Sequence, residues 1–141
     1  MIALRKETPL VPAGLSHEFL AFIADQATAE IVCRVCESQG LSGDGIIPGS
    51  LDDAIDGLST IATPSLLVVD LGHSQDIMAD AARLAEVCDA GARVILLGEI
   101  NDLRLYRDVL AAGVADYLVK PFQDADLARS FERARPPVTS A

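Results

Sequence analysis

The chain has 141 residues, half of them hydrophobic, with a mean hydropathy of +0.32 and a formal net charge of −10 at a sequence pI of about 4.4. That length suits one domain with a core of useful size, and no apolar run approaches the roughly 20 residues that cross a bilayer. The acidic balance sets the surface against nucleic acid and anionic lipid, which leaves proteins and cations as the expected partners.

In chain order, short apolar runs alternate with helical patterns. "EFLAFIAD" reads as a first strand ending at Asp25, and Thr28 to Gln39 as a helix with Gly40 suited to a left-handed C-terminal cap. "GDGIIPG" is a short second strand between turn residues, and Ser50 is the expected N-cap of "LDDAIDGL", with Asp52 and Asp53 where a helix N-terminus favours negative charge. "PSLLVVDLG" is the clearest strand: Leu66 to Val69 run without polar interruption and end at Asp70, as a strand buried on both faces of a parallel sheet requires. "SQDIMADAARLAEVCDAG" is a helix with Ile77, Ala81, Leu84 and Cys88 on one face, and "ARVILLGEI" is the fourth strand. Asn101 is the expected cap of "DLRLYRDVLAAG", whose Leu103, Tyr106 and Leu110 are assigned to the core. "ADYLVKP" is the fifth strand, and a last helix runs from about Asp124 to Ala134 with Leu127, Ala128 and Phe131 at helical spacing.

Cys33 and Cys36 are spaced C-x-x-C, but inside a helical pattern and without a second ligand pair, so they and Cys88 are read as ordinary helix or core cysteines. His17 and His73 have no Ser or Cys partner at a meaningful spacing and are read as solvated. The start, "MIALRKETPLVPAGLSHEFL", lacks the unbroken apolar core and cleavage site of a secretory leader, so a cytoplasmic location is expected.

Strict alternation of five strands and five helices implies right-handed crossovers and a doubly wound parallel α/β sheet, the (βα)5 pattern. In such folds chemistry gathers where strands end, which singles out Asp25, Asp70, Gly98 with Glu99, and Lys120. Asp25 and Asp70 can supply oxygen ligands to Mg²⁺, weakly at best with two carboxylates, and Lys120 can pair with Asp70. The plain alternative is that polar residues end strands because the chain meets water there. No G-x-x-x-x-G-K-[ST] loop occurs, and nothing supports a third option, a small flavodoxin-like enzyme or nucleotide binder.

From about Phe19 to Arg135 the chain resembles the receiver domain of bacterial response regulators, which implies the flavodoxin-like strand order 2-1-3-4-5. Asp70 matches the phospho-acceptor, Asp25 part of the acidic pair, and Lys120 with Pro121 the lysine-proline motif whose proline is often cis. Taken alone, an X-Pro bond favours trans. The resemblance departs in two places: Gln26 follows Asp25 where a second acid is expected, and Gly98 stands where a small hydroxyl residue would hold a phosphoryl oxygen. Tyr117 matches the receiver's aromatic switch position. More narrowly, "PSLLVVDL" and "ARVILLGEINDLRLYRDVLAAGVADYLVKPF" are similar to the atypical N-terminal receiver of the CpaE/TadZ pilus assembly family. That resemblance implies a non-catalytic module of a Flp (tight-adherence) pilus protein at the cell pole, preceding a MinD/ParA-like ATPase domain, with the pilus secretion machinery as partner. It divides the chain into a tail (1–18), the receiver-like domain (19–135) and the start of a linker (136–141) to an ATPase domain absent from this chain. The alternative is a working phospho-acceptor receiver acting through Asp70. Receivers commonly pair through the fourth helix, fifth strand and fifth helix; here that face is expected to carry Arg104, Arg107, Asp116, Tyr117, Asp124, Asp126, Arg129, Glu132 and Arg133, in a homodimer. The plain alternative is that these charges only solvate two helices.

Overall fold

Every residue of β1 (Phe19–Ile23) and β3 (Leu66–Asp70) is buried, as strands covered on both faces must be. The computed structural model describes residues 18–134. Within them β1 and β3 join β2 (Ile46–Pro48), β4 (Arg93–Gly98) and β5 (Asp116–Val119) in one parallel sheet of order β2-β1-β3-β4-β5. This is the doubly wound receiver-like order expected from the sequence. The expected tail, apart from Glu18, and the expected linker, with His17 and Arg135, lie outside the described residues.

Five helices connect the strands: α1 (Gln26–Ser38), α2 (Leu51–Leu58), α3 (Ile77–Ala85), α4 (Leu103–Ala111) and α5 (Asp124–Ala134). Strand parity sorts the core into two layers, because successive side chains point to opposite faces. Leu20, Phe22, Leu67, Val69 and Leu96 pack under α2, α3 and α4. Phe19, Ala21, Ile23, Leu66, Val68, Ile95 and Leu97 pack under α1 and α5. The helices bury matching stripes: Ile77, Ala81 and Leu84 on α3, and Leu127, Phe131 and Ala134 on α5, at spacings of three and four. No described helix is long and apolar enough to cross a membrane, and no disulfide joins the described cysteines.

The expected cap at Gly40 is present. It takes φ +75°, and the Leu41 N–H donates to the Cys36 carbonyl at 2.8 Å, closing α1 with the left-handed residue that glycine adopts without strain. Ser50 is the N-cap of α2, with Asp53 accepting the Ser50 N–H at 2.9 Å. Three local expectations are corrected. α3 ends at Ala85, so Cys88 lies beyond it, although it still packs on the same core layer. The cap of α4 is Asp102 and not Asn101: its Oδ1 accepts the N–H groups of Arg104 and Leu105 at 2.8 and 3.1 Å. Finally, Leu103 is 64% exposed, Tyr106 and Leu110 are half-buried, and α4 buries Val109. The first turn of α4 starts beyond the end of β4, where no strand lies beneath it to cover Leu103.

Candidate functional site

Asp70 ends β3 with 0% of its surface exposed. Its Oδ1 accepts the Gly72 N–H at 2.8 Å and Lys120 Nζ at 2.9 Å; its Oδ2 accepts the Ala24 N–H at 3.0 Å and Lys120 Nζ at 3.0 Å. Each carboxylate oxygen thus has one main-chain and one ammonium donor. Gly72, at φ +60°, turns the chain so that its N–H points back at the carboxylate. The carboxylate is therefore hydrogen-bonded at both oxygens and buried from solvent.

Lys120 follows β5, where its N–H donates to the Gly98 carbonyl at 2.8 Å. Its side chain is 11% exposed, and Nζ also donates to Asp25 Oδ2 at 2.8 Å. The ammonium therefore sits between the two carboxylates. Burial works against its charge, but the hydrogen bonds to Asp25 and Asp70 more than offset this, and its pKa is raised. The Lys120–Pro121 peptide is cis, against the local preference for trans and in line with what the receiver resemblance implies.

Asp25 does not terminate the first strand, which stops at Ile23. It is the N-cap of α1, accepting the Thr28 N–H at 2.8 Å and the Thr28 hydroxyl at 3.0 Å. Burial pushes its pKa up, but Lys120 and the two Thr28 donors outweigh that, and the pKa falls from 3.8 to about 2. A carboxyl whose folded pKa lies below its unfolded one stabilises the fold above the unfolded value, and that contribution disappears as pH drops through the folded pKa. Thermal melts from about pH 5 down to about pH 2 are therefore expected to lose stability more steeply in the wild type than in Asp25→Asn. Equal slopes would contradict this linkage. Because Asp25 is exposed, the difference is modest.

Gly98 closes β4 on the α2–α4 side of the sheet, and the Tyr117 ring lies over it. A Cβ on Gly98 would stand 2.7 Å from Tyr117 Oη, 3.0 Å from its Cε1 and 3.2 Å from Ile77 Cδ1. The tyrosine, 3% exposed, donates its hydroxyl to the Ile100 carbonyl at 2.9 Å, and burial raises its pKa, which keeps it a donor. Tyr117 thus fills the space a side chain at position 98 would need. It also belongs to the core and not to the exposed face on which the sequence placed it.

Asp116 is corrected likewise. It is 3% exposed, because α4 and α5 close over the edge strand β5 from opposite sides. Its carboxylate accepts from the Tyr106 hydroxyl at 3.3 Å, the Tyr117 N–H at 2.9 Å and the Ser130 hydroxyl, with Arg133 Nη1 at 3.5 Å. Asp124 is engaged elsewhere, in a two-bond pair with Arg34 of α1 at 2.7 and 3.0 Å, since both helices cover the same layer. Asp126 caps the first turn of α5, accepting the Gln123 N–H at 2.9 Å and Arg129 at 2.9 Å. Arg104, Arg107, Arg129, Glu132 and Arg133 are exposed around β5, as expected, and among the described residues Arg104 and Arg107 have no ion-pair partner.

No family model and no curated protein matches the chain. Solved structures do. A pilus assembly protein CpaE from Caulobacter crescentus is 30% identical, over 79% of this chain and 88% of that one, with a TM-score of 0.70. The chain belongs to the CpaE pilus assembly protein family. A CpaE2 pilus assembly protein from Sinorhizobium meliloti is similar at 28% identity, over 83% of this chain and 98% of that one, with a TM-score of 0.74. The receiver domain of a Francisella response regulator, at 19% identity over 82% and 94% with a TM-score of 0.60, shares the fold alone. The chain is thus a receiver-like domain of the CpaE family.

The fold implies Mg²⁺, but the donors do not fit it. Mg²⁺ requires several oxygens in near-octahedral array, whereas Asp25 and Asp70 share an ammonium, and Gln26 stands where a further acid would be. Among the described residues no cluster of three or more His, Cys, Asp or Glu side chains is placed to hold a metal. Sequence reasoning missed the Ala24 and Gly72 donors, which are main-chain groups, and the bond between His73 Nδ1 and Glu99 Oε1 at 2.8 Å that ties the loops after β3 and β4. It also missed the cap from Asp25 to Thr28, although the D-x-x-T spacing carries that signal.

Proposed function

We propose that this CpaE-family domain is a non-catalytic docking module: it pairs with a second copy through the face around β5 and brings the ATPase region of a Flp-type pilus assembly protein to its place in the cytoplasm, at the cell pole. The observation that carries this reading is the closure of Asp70, whose two oxygens each hold a main-chain N–H and the Lys120 ammonium. Three further features support it. The cation site is neutralised by lysine, the hydroxyl position is a glycine, and the aromatic residue that would move in a switch is buried over that glycine. The domain then needs neither cofactor nor phosphorylation to present its surface.

The test is a titration with beryllofluoride and Mg²⁺, which together mimic a phosphoryl group on an aspartate. No saturable binding is expected. Saturable binding abolished by Asp70→Asn would overturn the reading and establish a working phospho-acceptor instead.

A further inference from the structure

A groove of about 460 Å³ opens between the C-terminal halves of α3 and α4, at the opposite end of the strands from Asp70. Its floor is Val94 and Leu96 of β4 with Val114, and its walls are alanines, Ala82 and Ala85 on α3 and Ala112 at the end of α4. Side chains this short leave the gap between the two helices unfilled, with room for a pair of aliphatic groups in an apolar cleft. Acids stand at its mouth: Asp89 lines it, and Glu86 and Asp108 are exposed on the adjoining helix ends. Cations turn away from it. Arg83, the basic residue of α3, binds Asp52 of α2 at 2.7 Å, and Arg93, next to Val94 on β4, points to the other face of the sheet by strand parity.

Where the chain enters the fold points to the occupant. The Glu18 carbonyl accepts the Leu66 N–H at 3.1 Å, and the Ser65 carbonyl accepts that of Arg93 at 2.9 Å, so the starts of β1, β3 and β4 lie side by side. Glu18 is therefore two strand spacings, roughly 10 Å, from the start of β4, at the end of the sheet where the groove opens. Residues 1–17, "MIALRKETPLVPAGLSH", precede it. At roughly 3.3 Å per extended residue, the steps from Glu18 back to Val11 reach roughly 23 Å, more than twice that sideways distance. Within this reach Leu10 and Val11 form an aliphatic pair between Pro9 and Pro12. Proline has no N–H and keeps the residue before it extended, so such a stretch asks for few hydrogen-bond partners in an apolar groove and loses less chain entropy on docking. Arg5 and Lys6, a few residues further upstream, carry the charge that the acids at the mouth attract.

We propose that the N-terminal segment folds back onto its own domain, with Leu10 and Val11 filling the groove between α3 and α4 and Arg5 and Lys6 set against Glu86, Asp89 and Asp108. Cys88 is the reporter, because it lines the groove and is half-buried. The full chain is treated with iodoacetamide, and each cysteine is followed separately by peptide mass spectrometry. In Leu10→Asp with Val11→Asp, Cys88 is expected to react about tenfold faster than in the wild type, as a site does when a local cover is removed. Cys33 and Cys36, on α1 across the sheet, are expected to keep their rates. A second measurement oxidises Val11→Cys with diamide. A disulfide between the introduced thiol and Cys88 of the same chain is expected, and is expected to vanish when Cys88→Ser is added. Equal Cys88 rates in the wild type and the double aspartate variant would overturn the proposal. So would a disulfide that joins two chains, since it would place the segment on a second copy.

Discussion

Replacing Lys120 by methionine is expected to destabilise the domain by about 3 kcal/mol, the lower end of what removing one partner of a buried ion pair costs. The melting temperature is then expected to fall by roughly 10 °C for a domain of this size. The reason is what the substitution leaves behind. Asp70 is fully buried and receives Lys120 Nζ on both oxygens, at 2.9 and 3.0 Å. Methionine fills most of the volume but donates nothing, so the carboxylate keeps only the Ala24 and Gly72 N–H groups. Those two donors hold the loss to the lower end. Asp25 contributes less, because it is exposed and also bound to Thr28. Removing both charges as Lys120→Met with Asp70→Asn is expected to recover part of the lost stability, since a neutral amide tolerates burial better than a lone carboxylate. A Lys120→Met protein within about 0.5 kcal/mol of wild type would show that the pair is an ordinary surface interaction.

The second large effect is at Gly98. Gly98→Thr is expected to cost about 1–3 kcal/mol, as overfilling of a packed site does, and to displace Tyr117. The Cβ alone would meet Tyr117 Oη at 2.7 Å and Cε1 at 3.0 Å, and Ile77 Cδ1 closes the third side at 3.2 Å. With no tryptophan and only two tyrosines in the chain, tyrosine fluorescence reports this displacement directly. Combining Gly98→Thr with Tyr117→Phe removes the nearest clashing atom, so the pair is expected to cost less than the sum of its parts, even though the bond to the Ile100 carbonyl is lost. Additive costs together with unchanged fluorescence in Gly98→Thr would mean that the threonine finds space elsewhere. Reintroducing a hydroxyl at position 98 is thus expected to disturb the fold and not to rebuild a phosphorylation switch.

The fold was legible in the sequence because its strongest signals are strand runs buried on both faces. Leu66 to Val69 can only be covered from two sides, and the alternating helices supply both layers. Asp70, Gly98 and Lys120 were legible for the same reason, since each marks the end of a strand. What escaped was set by neighbours distant in sequence. Asn101 and Asp102 are adjacent and equally suited to cap a helix; the choice follows from where the loop after β4 is held by Tyr117. Asp116 reads as an exposed acid on an edge strand until Tyr106 and Ser130 arrive from two helices to satisfy it. Leu103 fits the apolar stripe of α4 by spacing, yet the stripe begins before there is a strand beneath it. Asp124 looks like part of a docking face, but Arg34 lies 90 residues earlier and takes it.

The most direct measurement is a calorimetric titration of the full chain with beryllofluoride in the presence of Mg²⁺, run in parallel on Asp70→Asn. Asp70 closed by Lys120 and two main-chain donors predicts the same featureless heats for both proteins. Saturable binding in the wild type that disappears in Asp70→Asn would mean that the site opens and accepts a phosphoryl group, and would contradict the reading of this domain as a permanently set docking module.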